Sequence, residues 1–148
     1  MKRIIPRGIR NNNPLNIRIG NTWMGERPHP TDPAFEEFVT MEYGLRAAFM
    51  ILRRYIRRYR KDTITSIVST WAPASENDTL KYIDRVAMMT KLSPTEPIDY
   101  SDRETMCRLV AAMAQVECGQ PIDEAKILKA YDMAYLFMSD LSHCMSDL

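Results

Sequence analysis

Apolar residues recur at helical spacing through most of this chain, and they alternate with acids in only one short stretch. Leu45, Ala48, Phe49, Leu52, Tyr55, Ile56 and Tyr59 keep the period of one helix face and predict a central helix over Glu42–Tyr59. Its opposite side carries Arg46, Arg53, Arg54, Arg57, Arg58 and Arg60. Ile64, Ile67, Val68 and Trp71 predict a second, short helix, capped by Asp62 and broken by Pro73. The loop APASEND at 72–78 ends in a cap at Asn77 or Asp78. A helix over Thr79–Met89 follows, with Leu80, Ile83 and Ala87 inward and Tyr82 and Val86 beside them. Pro94 and Pro97 make 91–100 a connector.

The stretch Ser101–Gln120, SDRETMCRLVAAMAQVECGQ, predicts the next helix. Ser101 and Glu104 have the spacing of a capping box. Met106, Leu109, Val110, Met113 and Val116 form its apolar stripe, and Gly119 is a natural stop because glycine enters the left-handed conformation cheaply. Asp123 caps a last helix with Ile127, Leu128, Tyr131, Ala134 and Tyr135 inward, and 139–148 are expected to fray.

The first 40 residues are different. Residues 1–13 read as an extended lead-in, and Asn11, Asn12, Asn13 and Pro14 form a turn-rich cluster. Leu15–Ile19 and Phe35–Val39 are expected as two short strands of a small β-hairpin, separated by the Gly20–Asn21 turn and a loop with Pro28, Pro30 and Pro33. The expected class is mostly α (α+β), with about five helices and a small hairpin near the N-terminus. The whole chain, 1–148, is expected to be one domain.

Composition narrows the classes. Hydrophobic residues are 45% and charged residues 26%, an ordinary globular balance. No apolar run approaches the roughly 20 residues of a membrane span, so no membrane partner is expected. MKRIIPRGIRNNN has a basic head but no apolar core and no cleavage site, so it does not read as a secretory signal. The expectation is synthesis in the cytoplasm, with something else carrying the protein to any later place. Cys107, Cys118 and Cys144 form no CxxC pair, and only His29 and His143 could assist a metal site. Reduced thiols are expected, with neither metal nor cofactor. Residues 1–61 carry 13 Lys or Arg against 5 Asp or Glu, and residues 62–148 carry 7 against 14. That asymmetry fits a polyanionic partner for one face, and equally two halves that attract each other.

One residue stands out chemically. Glu117 falls in the last turn of its helix, one step round from the apolar stripe. The C-terminal end of a helix carries partial negative charge and favours cations. A partly desolvated acid there should have a raised pKa, as a general acid needs near neutral pH. The alternative is a solvated helix-end glutamate with no chemistry.

Three stretches resemble parts of known enzymes. MCRLVAAMAQVECGQ is similar to the catalytic helix of lytic transglycosylases and goose-type lysozymes, in which small and apolar residues run into a Glu followed by a small residue. NDTLKYIDRV resembles their segment in which a Thr precedes a Tyr on a helix facing the glycan cleft. NNNPLNIR, WMGE and FEEFVTMEYGLRAA resemble the asparagine-rich loop and small β element of the lysozyme-like superfamily. Nearly the full chain also resembles a group of phage and prophage proteins catalogued as virion structural protein five. That group shares GIRNNNPGNIR, W-x-G, F-x-x-F, GIRA, WAPPxENDT and a late E-N-G-Q; here Leu15 and Cys118 stand where it tends to have Gly and Asn. The loop and hairpin precede the glutamate helix here, the reverse of the enzyme order, which implies a circular permutation.

The resemblance implies that Glu117 acts as general acid in binding and cleaving peptidoglycan glycan strands, in a lytic transglycosylase or muramidase-like manner. A lytic transglycosylase route needs no second carboxylate, whereas inverting hydrolysis wants one roughly 6.5–9.5 Å away. Glu26, Glu36, Glu37 and Glu42 are the candidates, Glu26 foremost beside Trp23. Tyr82 could hold the substrate or the acid, or be a half-buried core tyrosine. Trp23, in a loop flanked by glycines, suits a sugar platform, whereas Trp71 suits the core. Asn13 and Asn16, with Asn11 and Asn12, could meet N-acetyl groups or cap their own turn. The arginine run 53–61 could meet phosphates, anionic wall polymer or a neighbouring virion subunit, or be a solvated face. Three functions follow. One is a glycan-cleaving enzyme that works in the virion, the periplasm or the cell wall. Another is a non-catalytic virion structural protein that keeps the fold and contacts other virion proteins. The third is a basic nucleic-acid-binding accessory protein, which lacks any recognised DNA-binding motif.

Overall fold

A computed structural model describes residues 4–75 and 77–141. The described chain is mostly helical: α1 (Arg7–Arg10), α2 (Met41–Arg57), α3 (Ile64–Trp71), α4 (Thr79–Thr90), α5 (Arg103–Cys118) and α6 (Glu124–Leu141). Glu76 and the expected tail beyond Leu141, with His143 and Cys144, lie outside the described residues. Residues 139–141, expected to fray, continue α6 instead.

Each helix from α2 onward starts where a side chain satisfies a free amide. Thr40 accepts from Tyr43 N to open α2. Thr63 and Ser66 form a reciprocal capping box for α3, which displaces Asp62 from the expected role. Asp78 caps α4 and Asp102 caps α5. The Ser101–Glu104 box is therefore not formed; Ser101 Oγ instead accepts from Arg57 Nη2 at 2.9 Å. Asp123 accepts from Ala125 N at the start of α6. Gly119 stops α5 at φ 72°.

The core gathers around α2. It packs along α6 and also meets α3 and α5, while α4 packs on α5 and α3. Leu45, Ala48, Phe49 and Leu52 of α2 meet Ile127, Ala130, Tyr131 and Ala134 of α6 and Leu109, Val110 and Met113 of α5 in one buried cluster. Four expected positions move; Tyr135, expected inward on α6, is 43% exposed. Arg46 is buried, only 3% exposed, because residues 44–49 are all covered, so the arginine face starts later on α2. Tyr59 is exposed because α2 ends at Arg57, and Leu80 is 76% exposed on the outer side of α4.

The hairpin is not formed as a ladder. Among the described residues the β structure is two isolated antiparallel bridges, Arg18 to Phe35 and Glu26 to Phe38. The segment 35–39 divides its hydrogen bonds among partners: Glu36 N donates to Ile17 O, Phe38 N to Asn11 O, and Val39 N to Gly25 O. Asn12 and Asn16 take positive φ, so no one neighbour stays extended long enough to pair. The expected extended lead-in contains the single turn α1, whose Ile9 N and Arg10 N donate to Pro6 O.

This N-terminal region is clamped onto the helices by close backbone approach. A Cβ on Gly44 would lie 1.9 Å from Asn12 O, and one on Gly8 would lie 2.8 Å from both Asn13 O and Cys118 Sγ. Only glycine lets α2 and α1 come this near the asparagine loop.

Candidate functional site

The asparagine cluster is a folding device first. Asn11 Nδ2 donates to Asp32 Oδ2 at 2.9 Å, and Asn12 Nδ2 to Phe38 O at 3.1 Å. Asn13 is fully buried; its amide donates to Ile17 O and Glu36 O and accepts from Ile17 N. It has no donor left over for a ligand. Asn16 N donates to Asn13 O, which closes the turn after Pro14. The positive φ falls on Asn16, at 53°, and Leu15 is free to bury its side chain in the core. Leucine is therefore accommodated where the phage group tends to have glycine.

Asn16 alone of the four reaches the glutamate helix. Its Nδ2 donates to Glu117 Oε1 at 3.0 Å, and Tyr82 Oη on α4 donates to Oε2 at 3.1 Å. The carboxyl is thus held at both oxygens by groups from two separate parts of the chain, the asparagine loop and α4. Burial raises the Glu117 pKa above the usual carboxylate value, and the two donors pull against that rise without cancelling it. Tyr82 is 6% exposed, and burial with the neighbouring Glu117 charge keeps its phenol protonated. Next door, Cys118 Sγ donates to Pro14 O at 3.1 Å, which ties the end of α5 to the loop. Burial first, then the Glu117 charge, pushes that thiol up to about 11.

Asn16 and Tyr82 also face two surface depressions. Asn16 lines a groove of about 610 Å³ with Arg18, Trp23, Arg54, Tyr55 and Trp71. Tyr82 lines a smaller one, about 230 Å³, with Asn77, Lys81, Arg85 and Val116. Glu117 lies between the two residues that border these depressions. Trp23 and Trp71 both contribute to the larger groove, so the division into platform and core does not separate them: each is partly buried. Trp71 Nε1 donates to Leu15 O at 3.1 Å and its ring meets Tyr55 edge-on at 6.1 Å. Tyr55 and Tyr59 of this groove carried no separate signal in the sequence, because helical spacing files them under core; Arg54 belongs to the arginine run that the sequence did single out.

The carboxylates proposed as second groups are engaged elsewhere. Glu26 Oε1 accepts from Trp23 N at 2.7 Å, and Glu26 also bonds and repels Glu36. Glu36 is buried, and desolvation followed by the Glu26 charge raises its pKa to about 7. Glu37 accepts from Thr31 N, Asp32 N and Arg27. Glu42 sits 3.9 Å from Lys129 Nζ. Asp32 is the hub that sequence reasoning missed: it accepts from Arg7, Asn11, Ala34 N and Phe35 N, and the Arg7 guanidinium first among these holds its pKa far below the usual range.

Two members of the arginine run are engaged by neighbouring groups. Arg57 is held on Ser101 and lies over the Tyr100 ring at 5.5 Å, and Arg58 lies over Tyr59 at 5.8 Å. Among the described residues no three His, Cys, Asp or Glu come together as a metal site, and no helix is long and apolar enough to cross a membrane.

No family model matches the chain. It is 39% identical over 134 residues to Protein P5 of Pseudoalteromonas phage PM2, a match that covers 87% of this chain and 82% of that protein. The chain belongs to the family of phage PM2 Protein P5.

Proposed function

We propose that this protein is a virion component encoded by a phage or prophage, with other virion proteins as its partners. The observation that carries the reading is kinship with a phage protein over most of both chains. The test is mass spectrometry of purified particles. Peptides of this chain should band with intact particles through a density gradient. Their presence in the lysate but not in the particle band would remove the reading.

A second reading, favoured by the geometry at Glu117, gives that virion component an enzymatic role at the cell wall. A desolvated carboxyl with a raised pKa, oriented by Asn16 and Tyr82 between two depressions, suits a general acid. On a peptidoglycan glycan strand Glu117 would protonate the glycosidic oxygen as the bond to the anomeric carbon breaks. The resulting carboxylate would then take the proton from the sugar's own hydroxyl as that oxygen closes onto the anomeric carbon. This lytic transglycosylase route needs no second acid, which matters because Glu26, Glu36, Glu37 and Glu42 have other partners. It carries with it a lysozyme-like fold in circularly permuted order. Loss of turbidity of purified cell walls tests it: the wild-type protein should clear them and Glu117→Gln should not. Walls that stay turbid with wild-type protein would leave the virion-component reading alone.

A further inference from the structure

The larger groove has a charge character that the Glu117 reading does not use. Its charged lining residues are Arg18 and Arg54, with no carboxylate among them. Among the described residues Arg54 is exposed and makes no ion pair, and the Arg18 side chain lies over the Phe35 ring at 4.9 Å with no ion pair. The rings of Trp23, Tyr55 and Trp71 and the side chain of Asn16 share the lining. About 610 Å³ is within the usual range of ligand sites, about 300–1,000 Å³.

We propose that this groove binds a sugar chain bearing a carboxylate, with Arg54 pairing the carboxylate and Trp23 and Trp71 covering apolar sugar faces. This rests on the glycan reading and names its specificity: an acidic sugar rather than a neutral one. The flat rings match the C–H face of a pyranose, and the amide of Asn16 offers the in-plane hydrogen bonding that an N-acetyl sugar edge needs. A nucleic-acid strand would want cations spaced along a track to neutralise successive phosphates. The groove has two, and the next arginine on α2, Arg57, is tied to Ser101 and Tyr100. Asn16 borders the groove and donates to Glu117, so a ligand here lies one side chain from the acid.

The test is tryptophan fluorescence titration of Glu117→Gln protein, in which turnover is blocked. The ligands are a muramic-acid-containing glycan fragment, the same fragment with its carboxyl methyl-esterified, and a single-stranded DNA oligomer. A charge-assisted contact predicts that the free acid binds about tenfold to a hundredfold tighter than the ester. Arg54→Gln should abolish that difference while leaving ester binding unchanged. Equal binding of acid and ester overturns the proposal, as does a DNA oligomer that binds tighter than the glycan. Wall clearing by the wild-type protein separates the two ideas. Clearing by wild-type protein, with equal binding of acid and ester by Glu117→Gln, leaves the glycan reading standing and removes this proposal. No glycan binding and no clearing removes both.

Discussion

Asn16 and Glu117 stand 101 positions apart in the chain, yet the Asn16 amide donates to Glu117 Oε1 at 3.0 Å. The contact joins the asparagine loop to the end of α5, and Cys118 repeats the link by donating to Pro14 O. The acid is therefore positioned by the N-terminal loop. Anything that loosens the loop should disturb Glu117 before it disturbs the helical core.

Replacing Glu117 by Gln keeps the shape and removes the proton. General acid–base groups contribute about 10²–10⁴-fold, so wall clearing should drop by at least about two orders of magnitude with glycan binding retained. Full activity in the variant would leave Glu117 as a partly buried structural acid.

Tyr82→Phe removes one of the two donors that favour the ionised carboxylate. Its pKa, already raised by burial, should rise further, because less remains to offset desolvation. The midpoint of Glu117 by carboxyl NMR titration should move up. Stability should fall by about 0.5–1.5 kcal/mol, the usual net value of one hydrogen bond. A midpoint that moves down would mean that Tyr82 does not stabilise the charged form.

Glu36 predicts a pH dependence of stability. Its pKa is raised from the ordinary 4.5 to about 7 by burial and then by Glu26. In that interval the folded chain binds a proton that the unfolded chain releases, so folding is favoured at the acid end. Stability should fall as pH rises from about 4.5 to about 7 and then level off. Urea midpoints across this range should flatten in Glu36→Gln, although the smaller contribution of Glu117, of the same sign, remains. A midpoint that climbs with pH in both proteins would reject the assignment.

Gly44→Ala tests the clamp between α2 and the loop. The new Cβ would meet Asn12 O at 1.9 Å, a backbone atom that can yield only if the loop moves. The cost should reach or exceed the upper end of the roughly 1–3 kcal/mol typical of overpacking. Gly20→Ala, where a Cβ meets nothing within 4 Å, is the control and should stay within about 0.5 kcal/mol. Equal urea midpoints for the two variants would show that the clamp does not matter to stability.

The sequence by itself determined the helices of the core and the presence of an unusual acid. Leu45 to Ile56, Ile64 to Trp71 and Met106 to Met113 repeat at the helical period, and burial of one face needs no more than that pattern. Gly119 marked the end of α5 and the pair Asn77 and Asp78 bracketed the start of α4, because cap chemistry is local, whereas Asp62 and the Ser101–Glu104 box lost their expected roles to Thr63 and Asp102. Tertiary structure decided the rest. Alternating residues at 35–39 read as a strand, but a ladder needs a long extended partner, and the left-handed Asn12 and Asn16 deny it one. Arg46 has the period of a surface arginine and is buried because neighbouring segments cover that turn of α2 on every side. Whether an asparagine in NNNPLN serves the loop or reaches the acid depends on where its amide points once the chain has closed. Asn12 and Asn16 share a positive φ, yet only Asn16 of the four meets Glu117. The groove is assembled from the loop at 16–23, α2 and Trp71, and spacing along one segment carries no information about what lies across from it.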